Sequence, residues 1–151
     1  MKLNLNNKYN ILVSGQEKEL SLKEILGENK TILYFYPADN TPGCTLENKD
    51  FTCLKNEFNS KGYKLVGVSK NSMESHKKFV LNHNLENDLI SDPELVLHKE
   101  LLAYGEKNNY GKIIQGVIRS TFVIDNNGEV IKEYKNIKAT GHAERLLKEL
   151  D

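Results

Sequence analysis

The chain has 151 residues, with 21 basic and 21 acidic side chains, zero net charge and two cysteines. A chain of this length buries about two-thirds of its unfolded surface, so we expect one domain over residues 1–151 that folds without a metal or disulfide staple. Interspersed charges exclude a basic face for nucleic acid or an anionic membrane; no stretch approaches ~18 apolar residues and no signal-peptide core opens the chain, so a soluble cytoplasmic protein is expected.

In chain order, Leu3 to Val13 alternates as a strand, Ser14-Gly15 is a turn, and Ser21-Leu22-Lys23-Glu24 opens a short helix as a capping box that Gly27 closes. Residues 31 to 36 are a near-continuous β-prone run, as in a strand buried on both faces. From Cys44 to about Asn59 the apolar residues Cys44, Phe51, Leu54 and Phe58 fall at helical spacing, which puts the thiol on the core-facing side; Gly62 ends that helix. A strand over 63–69, a helix over about 72–83 and a short strand at 89–91 come next. Asp92-Pro93-Glu94 is read as N-cap, first-turn proline and dipole-complementing acid of a helix to about Leu102. Gly105 to Gln115 reads as a polar loop. Val117 to Ile124 is a strand, Asp125-Asn126-Asn127-Gly128 turns it into a hairpin with Glu129 to Tyr134, and a last helix runs from about Gly141 to Leu150.

This alternation requires a mixed sheet with parallel βαβ units and an antiparallel hairpin at one edge. The fold class is α/β: a thioredoxin-like outline, with a central mixed sheet flanked by helices and an N-terminal β extension.

The chemistry concentrates at Tyr36-Pro37-Ala38-Asp39-Asn40-Thr41-Pro42-Gly43-Cys44-Thr45. A cysteine in the first turn of a helix faces unpaired N–H groups and partial positive charge, which favour the thiolate, and the thiolate is the nucleophile. Ionisation is the smaller part of the rate. A free cysteine is about 3% thiolate at neutral pH, so full ionisation gains only about thirtyfold. The rest must come from donors aimed at the charge that develops during attack. Only Arg119 and Arg145 are arginine among the basic residues, so an arginine that remains is a candidate for a role lysine cannot fill.

Pro37-x-x-x-Thr41-x-x-Cys44 after a strand, with Gly116 to Asp125 downstream, resembles a peroxiredoxin. Tyr34-Phe35-Tyr36-Pro37, Asn40-Thr41-Pro42-Gly43-Cys44-Thr45, Glu47 and Tyr104-Gly105-Glu106-Lys107 are similar to the Q-type, or bacterioferritin-comigratory, subfamily. The likeness runs from about residue 19 onward; the first dozen residues lack the Ala-Pro-x-Phe opening usual in that family. It implies a thiol-dependent peroxidase, without metal, haem or flavin, that reduces hydrogen peroxide and small organic hydroperoxides. In that reading Cys44 is the peroxidatic nucleophile, Thr41 bonds peroxide and thiolate, Pro37 shields the pocket and Arg119 is the cationic partner. Gly43 and Cys44 would offer N–H groups at the helix mouth. Glu47 has two readings, ordering the loop or moving protons, and complementing the helix dipole.

Attack leaves a sulfenic acid that a thiol normally rescues. The subfamily's resolving position, five residues on, is Lys49 here. Cys53, nine residues on, lies about 13 Å along an intact helix and about 180° around it, so pairing requires unwinding. A one-cysteine cycle reduced by thioredoxin, glutaredoxin or a small thiol is ranked ahead of resolution by Cys53, in a monomer or weak homodimer. The alternatives are a peroxide-sensing redox switch and a thioredoxin-like disulfide oxidoreductase, the latter disfavoured by the lack of Cys-x-x-Cys. His76 and His83 share a helix face without a third metal ligand, His98 and His142 show no site partner, Tyr104 is read as loop packing and Arg145 as a solvated helix residue.

Overall fold

The computed structural model describes residues 2–109 and 111–150. Its chief feature is a seven-stranded mixed sheet of order β2-β1-β5-β4-β3-β8-β9. The strands are β1 (Lys8–Val13), β2 (Gln16–Ser21), β3 (Lys30–Phe35), β4 (Tyr63–Ser69), β5 (Asp88–Ser91), β6 (Tyr104–Asn109), β7 (Lys112–Val117), β8 (Ser120–Ile124) and β9 (Val130–Lys135). The helices are α1 (Leu22–Leu26), α2 (Pro42–Ser60), α3 (Met73–His83), α4 (Val96–Glu100) and α5 (His142–Glu149). β3, β4 and β5 are parallel, and antiparallel hairpins β1–β2 and β8–β9 form the two edges.

β3 shows why the fold forms. Its side chains alternate between two cores. Leu33 and Phe35 join Leu22, Ile25, Leu97, Leu101 and Phe122 beneath α1 and α4. Ile32, Tyr34 and the following Tyr36 join Phe51, Phe58, Phe79 and Leu146 beneath α2, α3 and α5. Cys44 belongs to this second core.

The structure departs from the sequence reading at several elements. The first strand begins at Lys8, and the polar stretch Gln16–Ser21 pairs with it as a further strand. β2 has no apolar alternation because it is an exposed edge. The segment read as a loop over 105–115 is the β6–β7 hairpin, closed by Gly111 at φ 84°, a left-handed backbone that glycine adopts without strain. The strand read as Val117 to Ile124 is broken. β7 ends at Val117, Ile118 N donates to Ala103 O at 2.8 Å, and β8 starts at Ser120, so Arg119 occupies the break. Finally, α4 begins at Val96 rather than beside Pro93. Its N-cap is Leu95, not Asp92, whose carboxylate instead accepts from Val96 N (3.1 Å) and His98 N (3.0 Å) of the first turn from outside the helix.

Candidate active site

β3 ends at Phe35, and the chain then crosses the end of the sheet to enter α2, with Thr41 as N-cap and Pro42 in the first turn. The helix thus starts two residues earlier than its apolar stripe indicates, and Cys44 is its third residue. Proline suits this entry because its fixed φ is helical and its missing N–H would have had no intrahelical acceptor. Cys44 is 1% exposed and lies within hydrogen-bond reach of Arg119, whose Nη2 donates to Sγ at 3.2 Å. The other guanidinium nitrogen, Nη1, donates to Glu47 Oε1. One planar fork therefore bridges sulfur and carboxylate in a fixed geometry, which the point-like ammonium of a lysine would do poorly.

Glu47 is fully buried in the second turn of α2, and among the described residues its Oε2 has no hydrogen-bond partner. It is not a solvated acid complementing the dipole. Burial outweighs the attraction of Arg119 and pushes its carboxyl from an ordinary 4.5 to about 7. Arg119 shifts upward, since the attraction of Glu47 and Cys44 together outweighs the desolvation that opposes it. Two groups that carry negative charge when ionised thus share one cation. A methyl placed on Gly43 would stand 3.5 Å from Arg119 Nη2, so the guanidinium lies close over the helix mouth.

Pro37 and Arg119 line a common cleft of about 550 Å³, together with Lys107, Val117, Ile118 and Lys135. The Thr41 hydroxyl donates to Ala38 O at 3.0 Å; its proton is engaged and its oxygen lone pairs are what it can offer a ligand. Cys53 is exposed, away from the buried face that carries Cys44, and both thiols are free.

Several polar residues passed over in the sequence surround this centre. Asn48 Nδ2 donates to Cys44 O at 2.9 Å, and its Oδ1 accepts from Tyr34 at 2.7 Å. Asn87 Nδ2 reaches both Tyr34 Oη (2.8 Å) and Asn48 O (2.9 Å), and its Oδ1 accepts from Thr52 at 3.1 Å. The i to i+4 spacing of Cys44 and Asn48 was the available signal. The histidines have partners after all. His76 and His83 reach back to the loop before Cys44, at Asp39 Oδ2 (2.7 Å) and Asn40 Oδ1 (3.2 Å). His98 pairs with Asp92 at 2.7 Å, and His142 shares a bond with Thr121 at 2.9 Å. Burial, and then the charge of Arg145 and Arg119, lower the His142 imidazole to about 4, which keeps it neutral near pH 7. Among the described residues no group of three or more His, Cys, Asp or Glu is arranged to hold a metal ion. None of the described helices is long and apolar enough to cross a membrane.

A thioredoxin-like sheet that presents one buried cysteine at a helix mouth, under a guanidinium and beside an open cleft, has the outline of a class: the thiol-dependent peroxidases. Comparison with known proteins agrees. Residues 4–133 match the model of the AhpC/TSA family. A Helicobacter pylori protein named for the bcp peroxiredoxins is 46% identical over 132 residues, 87% of this chain and 86% of its own length. Peroxiredoxin Bcp of Bacillus subtilis is 41% identical over 119 residues, 79% of this chain and 76% of its own. Among solved structures, the Xanthomonas campestris bacterioferritin comigratory protein, studied for its alkyl peroxide reduction activity, has a TM-score of 0.85 at 34% identity and covers 96% of this chain and 90% of its own. The chain belongs to the AhpC/TSA family and within it to the Bcp, or Q-type, peroxiredoxins: it is a thiol-dependent peroxidase, with a peroxide as substrate and a thiol as reductant.

Proposed function

We propose that Cys44 is the peroxidatic nucleophile and that the chain works as a one-cysteine peroxidase on hydrogen peroxide and small organic hydroperoxides, within a single cytoplasmic domain and as a monomer or weak homodimer. The observation that carries this is the Arg119 fork, with Nη2 at 3.2 Å from Cys44 Sγ and Nη1 on Glu47. The thiolate attacks the near oxygen of the peroxide. An S–O bond forms, the O–O bond breaks with its electron pair going to the distal oxygen, and that oxygen leaves as an alkoxide or hydroxide and takes up a proton. Charge moves from sulfur to oxygen, and a fixed guanidinium spanning that path stabilises the transition state more than the ground state. Thr41, its own proton engaged by Ala38 O, accepts the peroxide O–H and orients it. Pro37 walls the cleft on the loop side.

Rescue of the sulfenic acid comes from an external thiol: thioredoxin, glutaredoxin or a small thiol. Cys53 sits nine residues along an intact helix, about 13 Å along its axis. A disulfide needs Cα atoms within ~7 Å. Unwinding α2 to reach it would break the buried bonds among Asn48, Tyr34, Asn87 and Thr52, each worth about 0.5–1.5 kcal/mol net.

Turnover of hydrogen peroxide with excess dithiothreitol tests the assignment. Wild type consumes many equivalents, Cys44→Ser none, and Cys53→Ser as many as wild type. Loss of turnover in Cys53→Ser with accumulation of over-oxidised Cys44 would overturn external rescue. Consumption that stops near one equivalent would make the chain a sensor.

A further inference from the structure

The segment between β3 and α2 is fixed by a residue outside the family resemblance. Asp39 has its side chain 1% exposed, and its carboxylate is satisfied on both oxygens. Oδ1 accepts from Tyr36 Oη at 2.7 Å; Oδ2 accepts from Ser75 Oγ at 2.8 Å and lies 2.7 Å from His76 Nδ1. His76 Nε2 lies 2.9 Å from Ile90 O, which can only accept, so that nitrogen carries a proton. The backbone is tied too: Asp39 N donates to Asn71 Oδ1 at 2.9 Å. The loop is thereby fastened to α3 and, through His76, to β5.

The residues just after Asp39 give this fastening its use. Asn40 has φ 65°, a left-handed conformation that a non-glycine residue keeps only where its surroundings determine it. Thr41 comes next, then the first turn of α2 with Cys44. Asp39 fixes one side of this turn and α2 the other, while Arg119 arrives independently from the break between β7 and β8. The relative position of sulfur, hydroxyl and guanidinium therefore depends on where Asp39 is held.

We propose that Asp39, held by Tyr36, Ser75 and His76, is a positioning residue for peroxide reduction: it sets the turn that places Thr41 and Cys44 against Arg119. This rests on the assignment of Cys44, Thr41 and Arg119 above. Asp39 touches neither sulfur nor peroxide in this role. It acts through the turn, and a misplacement of about 1 Å at a reacting centre costs up to a hundredfold in rate.

The test is the ratio of two rates at Cys44 in the full chain: the second-order rate with hydrogen peroxide and that of alkylation by iodoacetamide. Alkylation needs an accessible thiolate but no aligned peroxide donors, so a loss of packing alone moves the two together. Asp39→Asn keeps the shape but sets an amide N–H₂ against Ser75 and His76 or against Tyr36. It is expected to lower the peroxide rate ten- to a hundredfold and alkylation less than threefold. Ser75→Ala removes one donor with little change of volume, is expected to lower the ratio severalfold, and decides the matter should Asp39→Asn not fold. An unchanged ratio in folded variants, or an equal fall of both rates, overturns the proposal. Arg119→Lys and Thr41→Val run alongside. If they lower the ratio and the Asp39 and Ser75 variants do not, positioning by Asp39 fails alone; if none does, the site assignment fails with it.

Discussion

Glu47 offers a quantitative test of the electrostatics beneath the thiol. Its carboxyl is buried against Arg119, with Oε2 unpaired among the described residues, and its pKa rises from an ordinary 4.5 to about 7. Each tenfold change in proton affinity is worth ~1.4 kcal/mol, so the rise amounts to about 3 kcal/mol between the protonated and ionised forms. Linkage sets the sign. Between these values the folded protein binds more protons at this site than the unfolded chain does. The stabilisation is full below pH 4.5 and is lost as pH rises through about 7. Glu47→Gln keeps the shape and an oxygen for Arg119 but cannot titrate. The comparison belongs in a Cys44→Ser background, where the sulfur no longer competes for the guanidinium; His142 and the other titrating groups are common to both proteins and cancel. In urea unfolding across this range, the Gln variant should gain about 3 kcal/mol relative to its Glu47 parent from the acid end to slightly alkaline pH. A difference that stays flat, or that grows in favour of the Glu47 parent as pH rises, would refute the reasoning, the latter showing that attraction to Arg119 dominates burial.

Arg119→Lys should keep the fold yet slow oxidation of Cys44 by hydrogen peroxide in stopped flow by about a hundredfold or more, the usual cost of removing one preorganised donor from a developing oxyanion; a change under threefold would remove Arg119 from the reaction. Gly67→Ala should destabilise by roughly 1–3 kcal/mol in denaturant unfolding, since its methyl would stand 2.7 Å from Tyr34 Cζ and 2.8 Å from Leu89 Cδ2 in a packed core. Asn48→Leu should lose about 1–3 kcal/mol by removing the acceptor of the buried Tyr34 hydroxyl and the side-chain donor to Cys44 O, and its α2 should exchange amide hydrogens faster around Cys44.

The parts of this protein that could be read from its sequence are those whose signal is local. The Ser21 capping box, the doubly buried run of β3 and the Pro37 to Cys44 segment each lie within a dozen residues and depend on side-chain type at fixed offsets. β2 and the β6–β7 hairpin could not be read so, because strands exposed on an edge or in a separate ribbon show no apolar alternation. The partners of the site escaped for another reason. His76 lies 37 residues from Asp39, and Asn87 39 from Asn48; only the parallel crossovers through β4 and β5 bring them together. Glu47 was visible as a residue but not as a buried one, since burial opposite Arg119 depends on the break between β7 and β8 that pattern alone read as continuous strand.

Intact mass and peptide mapping after one equivalent of hydrogen peroxide, without reductant, bear most directly on the single-sulfur cycle. Cys44 should gain one oxygen, trapped by dimedone as the sulfenic acid, with Cys53 unchanged. Loss of two hydrogens with a Cys44–Cys53 link, or an unmodified Cys44, would contradict it.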